Sequence, residues 1–160
     1  MYGKFLEDFK IGQILKHWPG RTITESDDIW FSLLTQNGNP LHIDRHFSEH
    51  YGPHGAPITN GTLVFAVAVG QTVADISGRA IANLEYKEIK HYAPIFHGDT
   101  IYTLSKIVGI TESSKGDRGV VEVETTVMNQ NKNTVMTFQR KILVPKRNHP
   151  TMGENKLPMD

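Results

Sequence analysis

Two periodicities divide the chain. In its second half Val121, Val123, Thr125 and Val127 alternate with Glu122, Glu124 and Thr126, the two-residue repeat of a half-buried strand. Segments near 82–92, 100–110, 119–129 and 134–144 are rich in Val, Ile, Thr, Tyr and Phe, predicting four consecutive strands. Gln130-Asn131-Lys132-Asn133 should turn the last hairpin. In the first half, Thr24-Glu25-Ser26-Asp27 reads as a capping box. It opens a helix whose Ile29, Trp30, Leu33 and Leu34 share a face, and Asn37-Gly38 closes it. A short strand around Gln13 to Trp18 precedes it, ended by Pro19-Gly20. Gly and Pro recur through residues 38–60, so an irregular excursion is expected there, with one helical turn near Asp44 to His50.

Asn60-Gly61-Thr62 opens an apolar stretch that is too long for a strand, which predicts a helix to about Ile76 with Gly78 as its stop. Its apolar residues occupy all sides, implying burial on every face. Ala66, Ala68, Gly70 and Ala74 are small, so a sheet should pack very close. Beyond Pro145 the chain turns polar and is expected to fray as a tail. A run of strands after helices points to an α+β fold with an antiparallel sheet.

Composition narrows the function classes. The 160 residues carry 17 Lys+Arg against 17 Asp+Glu, and that balance leaves no electrostatic footprint for nucleic acid or an anionic membrane. The longest apolar run, Leu63 to Val69, falls well short of the roughly 20 residues of a spanning helix. The chain does not open on a basic segment followed by an apolar one, so secretion is not expected. Without cysteine there are no disulfides, thiolate nucleophiles or cysteine zinc sites, which fits a cytoplasmic home.

Candidate chemistry gathers around histidines. His42, His46, His50 and His54 are spaced by four, which on one helix would stack them as zinc ligands do. Gly52 and Pro53 break such a helix, so no metal is expected. His42 stands apart because it follows Asn37-Gly38-Asn39-Pro40-Leu41, where Gly38 and Pro40 fix the backbone and two amides can orient a water or the imidazole. The same residues also read as a plain helix-ending turn in which His42 is incidental.

The stretch from Gln36 to Asp44 resembles the Gly-Asp-x-Asn-Pro-Leu-His signature of the MaoC-like, or R-specific, enoyl-CoA hydratases. Asn39-Pro40-Leu41-His42 is intact and Asp44 falls on the usual trailing acid, but Gln36 replaces the glycine and Asn37 the aspartate. Ala56-Pro57-Ile58-Thr59-Asn60-Gly61 resembles the Pro-Ile-x-His-Gly that opens the family's central helix, with Asn60 for histidine. Pro94-Ile95-Phe96-His97-Gly98-Asp99-Thr100 resembles its Pro-Val-x-x-Gly-Asp-Thr turn. The blocks occur in order. The resemblance implies a hot-dog fold, an antiparallel sheet wrapped around one long central helix, as a single domain over 1–147 with a polar tail at 148–160.

It also implies a hydratase or dehydratase that adds water across the double bond of a trans-2-enoyl-CoA, possible forms including a branched or mesaconyl-type thioester. Coenzyme A then enters as part of the substrate and no other cofactor is implied. His42 would be the base, since imidazole titrates near neutral pH. The Gly61 backbone N–H would face the thioester oxygen at the helix's positive end. Asn37 cannot carry a proton as a carboxylate does, so it would hold the water while His42 moves both protons. Asn39, Ile58 and Asn60 are expected to contact substrate, Asp44 to cap the next turn, and Lys87, Lys90 or Arg140 to offer cations to the coenzyme A phosphates. Rivals of other classes are a thioesterase, for which the helix offers only Asp75, and an acyl-thioester-binding module without turnover. The fold implies a homodimer, or a trimer of such dimers, with each site completed by the partner.

Overall fold

A computed structural model describes residues 3–154. All four expected strands form: β3 (Ala82–His91), β4 (Thr100–Glu112), β5 (Arg118–Asn129) and β6 (Thr134–Pro145). They follow β1 (Ile14–Lys16) and β2 (Arg21–Thr22), which both pair with β4. One antiparallel sheet results, in the order β1-β4-β5-β6-β3. Val121, Val123, Thr125 and Val127 are fully buried, as their alternation requires.

The first-half helices are α1 (Glu25–Thr35), α2 (Pro40–Ile43), α3 (Arg45–His50) and α4 (Gly61–Gln71). Helix α4 lies on the sheet's inner face, where Leu63, Val64 and Ala68 join Ile101, Val127 and Phe138 in the core. Phe65 meets Phe138 edge-on, with ring centroids 5.0 Å apart. This sheet around one helix is the hot-dog architecture.

Three local outcomes differ from the sequence expectation, each for a physical reason. Helix α4 stops at Gln71 and a single π turn, Val73–Ser77, carries the chain onward. The Thr72 hydroxyl donates to the Val69 carbonyl at 2.6 Å and accepts from the Arg140 guanidinium at 2.8 Å, so it competes with the regular ladder. Burial of α4 is one-sided: its contact stripe runs through 63, 64 and 68, leaving Thr62, Ala66 and Gly70 exposed on the opposite side. The small residues therefore face away from the sheet, apart from Ala68. In α1 the apolar stripe points outward, with Trp30 66% and Leu34 80% exposed. The inward positions are Asp28 and Ser32, both buried, because the Asp28 carboxylate is used inside.

The capping box at α1 forms as read, Thr24 Oγ1 accepting from the Asp27 amide. Beyond Pro145 the described residues fold back instead of fraying. Arg147 pairs with Glu7 and Asp8, and His149 and Gly153 are buried. The rest of the expected tail, 155–160, lies outside the described residues.

A buried polar chain runs between β1 and the π turn. His17 Nδ1 donates to Asp75 at 2.8 Å, and His17 Nε2 accepts from Ser105, 2.9 Å away. Ser105 and Thr125 hydroxyls lie 2.9 Å apart. Burial pushes the His17 pKa down, and the hydrogen bond to Asp75 only partly opposes this. Unfolded, the imidazole would titrate near ~6.5. Below that value the unfolded chain binds a proton that the native state refuses, so stability falls as pH drops from ~6.5 towards the lowered folded value. Thermal unfolding followed over this range should show a loss approaching about 1.4 kcal/mol per pH unit. His17→Gln should be less stable at neutral pH but flatter in its pH dependence, and equal slopes would exclude His17 as the source.

Candidate active site

The bend after α1 is built by side-chain amides. Gln36 takes a left-handed conformation at φ 57° to end the helix. Asn37 Oδ1 then accepts from the Asn39 amide at 3.1 Å, and Asn39 Oδ1 from the Leu41 amide at 3.0 Å. With Pro40 in its first turn, where a missing N–H costs nothing, α2 forms directly. Asp44 Oδ1 accepts from the Phe47 amide at 2.9 Å, capping α3.

This short helix delivers His42 to the segment that precedes α4. The Ile58 amide donates to the Leu41 carbonyl at 3.1 Å, while His42 Nδ1 donates to the Ile58 carbonyl at 2.7 Å. The neutral ring is thereby held with its proton on Nδ1, which leaves Nε2 as an acceptor. The segment is tied on its other side too, the Thr59 amide bonding the Ile95 carbonyl at 2.7 Å.

Helix α4 opens beside it. Asn60 Oδ1 accepts from the Thr62 amide at 3.0 Å and the Thr62 hydroxyl at 2.6 Å. The Asn60 amide itself is anchored to Asp28 Oδ1 at 2.8 Å. Among the described residues the Gly61 N–H has no acceptor, so an orphan donor sits at the helix's positive end. His42 and Gly61 line the same cavity of about 460 Å³, together with Ile58, Val64, His91 and Met136 among others. That volume lies within the usual range of small-molecule sites. Among the described residues no carboxylate, lysine or arginine lines it.

The other expected site residues are placed differently. Asn37 borders a separate depression of about 160 Å³ with Ser32, Gln36 and Ile43. Asn39 and Asn60 serve as helix caps, and neither lines the His42 cavity. Ile58 does line it and also holds His42. Asp75 is engaged by His17, away from this cavity. Arg140 is 1% exposed, so it cannot reach coenzyme A phosphates, whereas Lys87 and Lys90 are exposed on β3. The His46 and His50 rings on α3 lie 4.3 Å apart, tilted to one another, and no group of three or more metal-ligating side chains is found among the described residues.

Sequence reasoning missed two features. His91, at the end of β3, lies so close to Gly61 that a Cβ there would stand 2.6 Å from its Cε1. Its position three residues before the Pro94 block was the available signal. The second is Asp28, fully buried, whose Oδ2 meets His97 Nε2 at 3.0 Å. An acid among the inward positions of α1 was the signal there.

The chain is 39% identical over 145 residues to the β-methylmalyl-CoA dehydratase of Chloroflexus aurantiacus, spanning 91% of this chain and 41% of that protein. It is 34% identical over 145 residues to the mesaconyl-CoA hydratase of Cereibacter sphaeroides, spanning 91% of this chain and 42% of that one. The chain thus spans less than half the length of these curated relatives. A Mycobacterium tuberculosis protein described as a double hotdog fold superposes with a TM-score of 0.80 at 26% identity, over 89% of this chain and 44% of that one. Residues 8–131 match the family described as the MaoC like domain, and the chain belongs to that family.

Proposed function

We propose that the protein is a hydratase or dehydratase of trans-2-enoyl-CoA thioesters, taking a mesaconyl-type substrate that brings its own methyl branch and carboxylate. The observation that carries this is the shared cavity of His42 Nε2 and the unpartnered Gly61 N–H. Hydration needs a base for the water and a donor for the negative charge that grows on the thioester oxygen. An imidazole with a free Nε2 meets the first need. An orphan amide at a helix N-terminus meets the second, and its value rises where water is excluded. Glycine at 61 lets the substrate approach that amide closely. The names of the two curated relatives support both the coenzyme A thioester and its mesaconyl-type acyl group. Asn37 is given no part in holding the water, because its side chain turns to the Asn39 amide instead.

The test is a panel of enoyl-CoA substrates, simple, branched and carboxylated, followed by loss of the conjugated thioester's ultraviolet absorbance. Turnover highest on the carboxylated, branched member is the expected result. Release of free thiol without hydration would mean a thioesterase, and tight binding without turnover a binding module.

We also infer that the working form is a homodimer joined through β3. That strand ends the sheet with one edge unpaired, and it exposes Leu84 at 52% and Ile89 at 41%. Open apolar edges of this kind invite pairing. Sedimentation should give twice the protomer mass, and Ile89→Lys should shift the protein towards monomer. A monodisperse monomer at micromolar concentration would exclude the dimer. Among the described residues no helix is long and apolar enough to cross a membrane.

A further inference from the structure

We propose that His91 is the acid that gives the α-carbon its proton, a role that rests on the hydratase reading of the same cavity. Adding water to an enoyl thioester requires two proton transfers. Asn37 has no proton to give near neutral pH, and it lies outside the cavity. Among the described residues the titratable groups on the cavity walls are His42, His54, His91 and Tyr92, with no carboxylate or ammonium. The Tyr92 hydroxyl is engaged with Thr137 at 3.1 Å. The His54 ring leans edge-on against Phe96, with centroids 6.1 Å apart, in the Gly- and Pro-rich loop.

His91 lies against the glycine that carries the oxyanion donor. Measured from the position of a Cβ on Gly61, its Cε1, Nδ1 and Nε2 stand at 2.6, 3.2 and 3.3 Å. A thioester oxygen held by the Gly61 N–H has its α-carbon two bonds away, beside this ring. His42 comes from α2 and His91 from the end of β3, so base and acid reach the substrate from different elements. Neither His91 ring nitrogen has a hydrogen-bond partner among the described residues.

The step balances. His42 Nε2 takes a proton from water as the oxygen bonds to the β-carbon. The π pair moves towards the carbonyl, placing negative charge on the oxygen at Gly61. As that charge collapses, the His91 ring N–H breaks and its proton bonds to the α-carbon. Solvent returns a proton from His42 to His91.

The experiment compares the unaltered protein with His91→Gln, His91→Gly and His54→Gln on its best enoyl-CoA, over pH 5–10. His91→Gln should lose at least about 100-fold in kcat, with KM changed less than threefold and the alkaline limb of the profile gone. Its thermal midpoint and its binding of a saturated acyl-CoA should be unchanged. Added imidazole should restore part of the activity of His91→Gly. An active protein in which His91→Gln keeps kcat within fivefold and retains both limbs overturns the assignment. So does a change confined to KM for carboxylated substrates, or the same loss in His54→Gln instead. If the unaltered protein hydrates no enoyl thioester, the hydratase reading falls and takes this one with it.

Discussion

His42→Ala should lower enoyl-CoA hydration by about 10²–10⁴-fold, the usual contribution of a positioned base. The expectation follows from how the ring is held. Its Nδ1 proton is committed to the Ile58 carbonyl at 2.7 Å, so the lone pair on Nε2 is the one left for water. His42→Gln is the sharper variant, since its amide can keep a hydrogen bond to Ile58 but cannot take up a proton. If the proton is the point, Gln should fail nearly as badly as Ala while unfolding at the same temperature as the unaltered protein. Activity that survives in Gln but not in Ala would reduce His42 to a positioning role. Asn37→Asp, by contrast, should stay within a few-fold of the parent, because the side chain at 37 borders a different depression. A large gain there would mean that the bend rearranges when substrate binds.

Much of this was legible in the sequence because the signals were local. The β5 alternation and the Thr24–Asp27 box are set by neighbours a few residues apart, and each appears as written. Local chemistry also explains where reading by motif went astray. Asn39 and Asn60 looked like substrate contacts, yet an Asn just before a helix is first a cap, and both side-chain oxygens are taken by backbone amides. Periodicity marks which residues share a face but not which way that face turns. In α1 the stripe of Trp30 and Leu34 points out because position 28 is an acid with two partners far along the chain, Asn60 and His97. Those separations, 32 and 69 residues, carry no periodic mark. His91 escaped notice for the same reason: its neighbour Gly61 is brought to it only when β3 closes the sheet beside α4.

The largest stability effect is expected at Asp28, where fold and site meet. The carboxylate is fully buried. One oxygen holds the Asn60 amide at 2.8 Å and the other His97 Nε2 at 3.0 Å. Asp28→Ala would leave a buried N–H and a buried ring nitrogen without partners at once, and loss of one member of such a buried group typically costs about 3–5 kcal/mol. Asp28→Asn separates the two bonds. Its amide oxygen can still accept from Asn60, but its NH₂ must face His97, so Nε2 has to become the acceptor. The ring proton then moves to Nδ1, which is buried and has no partner, at a cost of about 1–3 kcal/mol. Urea unfolding should therefore rank parent, Asn and Ala in that order. The same series probes the site, because Asn60 immediately precedes the Gly61 donor: in Asp28→Ala the Asn60 amide is released, the start of α4 can tilt, and kcat should fall below that of Asp28→Asn, which keeps that bond. Full activity in a folded but destabilised Asp28→Ala protein would show that Asp28 secures the core without positioning the Gly61 amide.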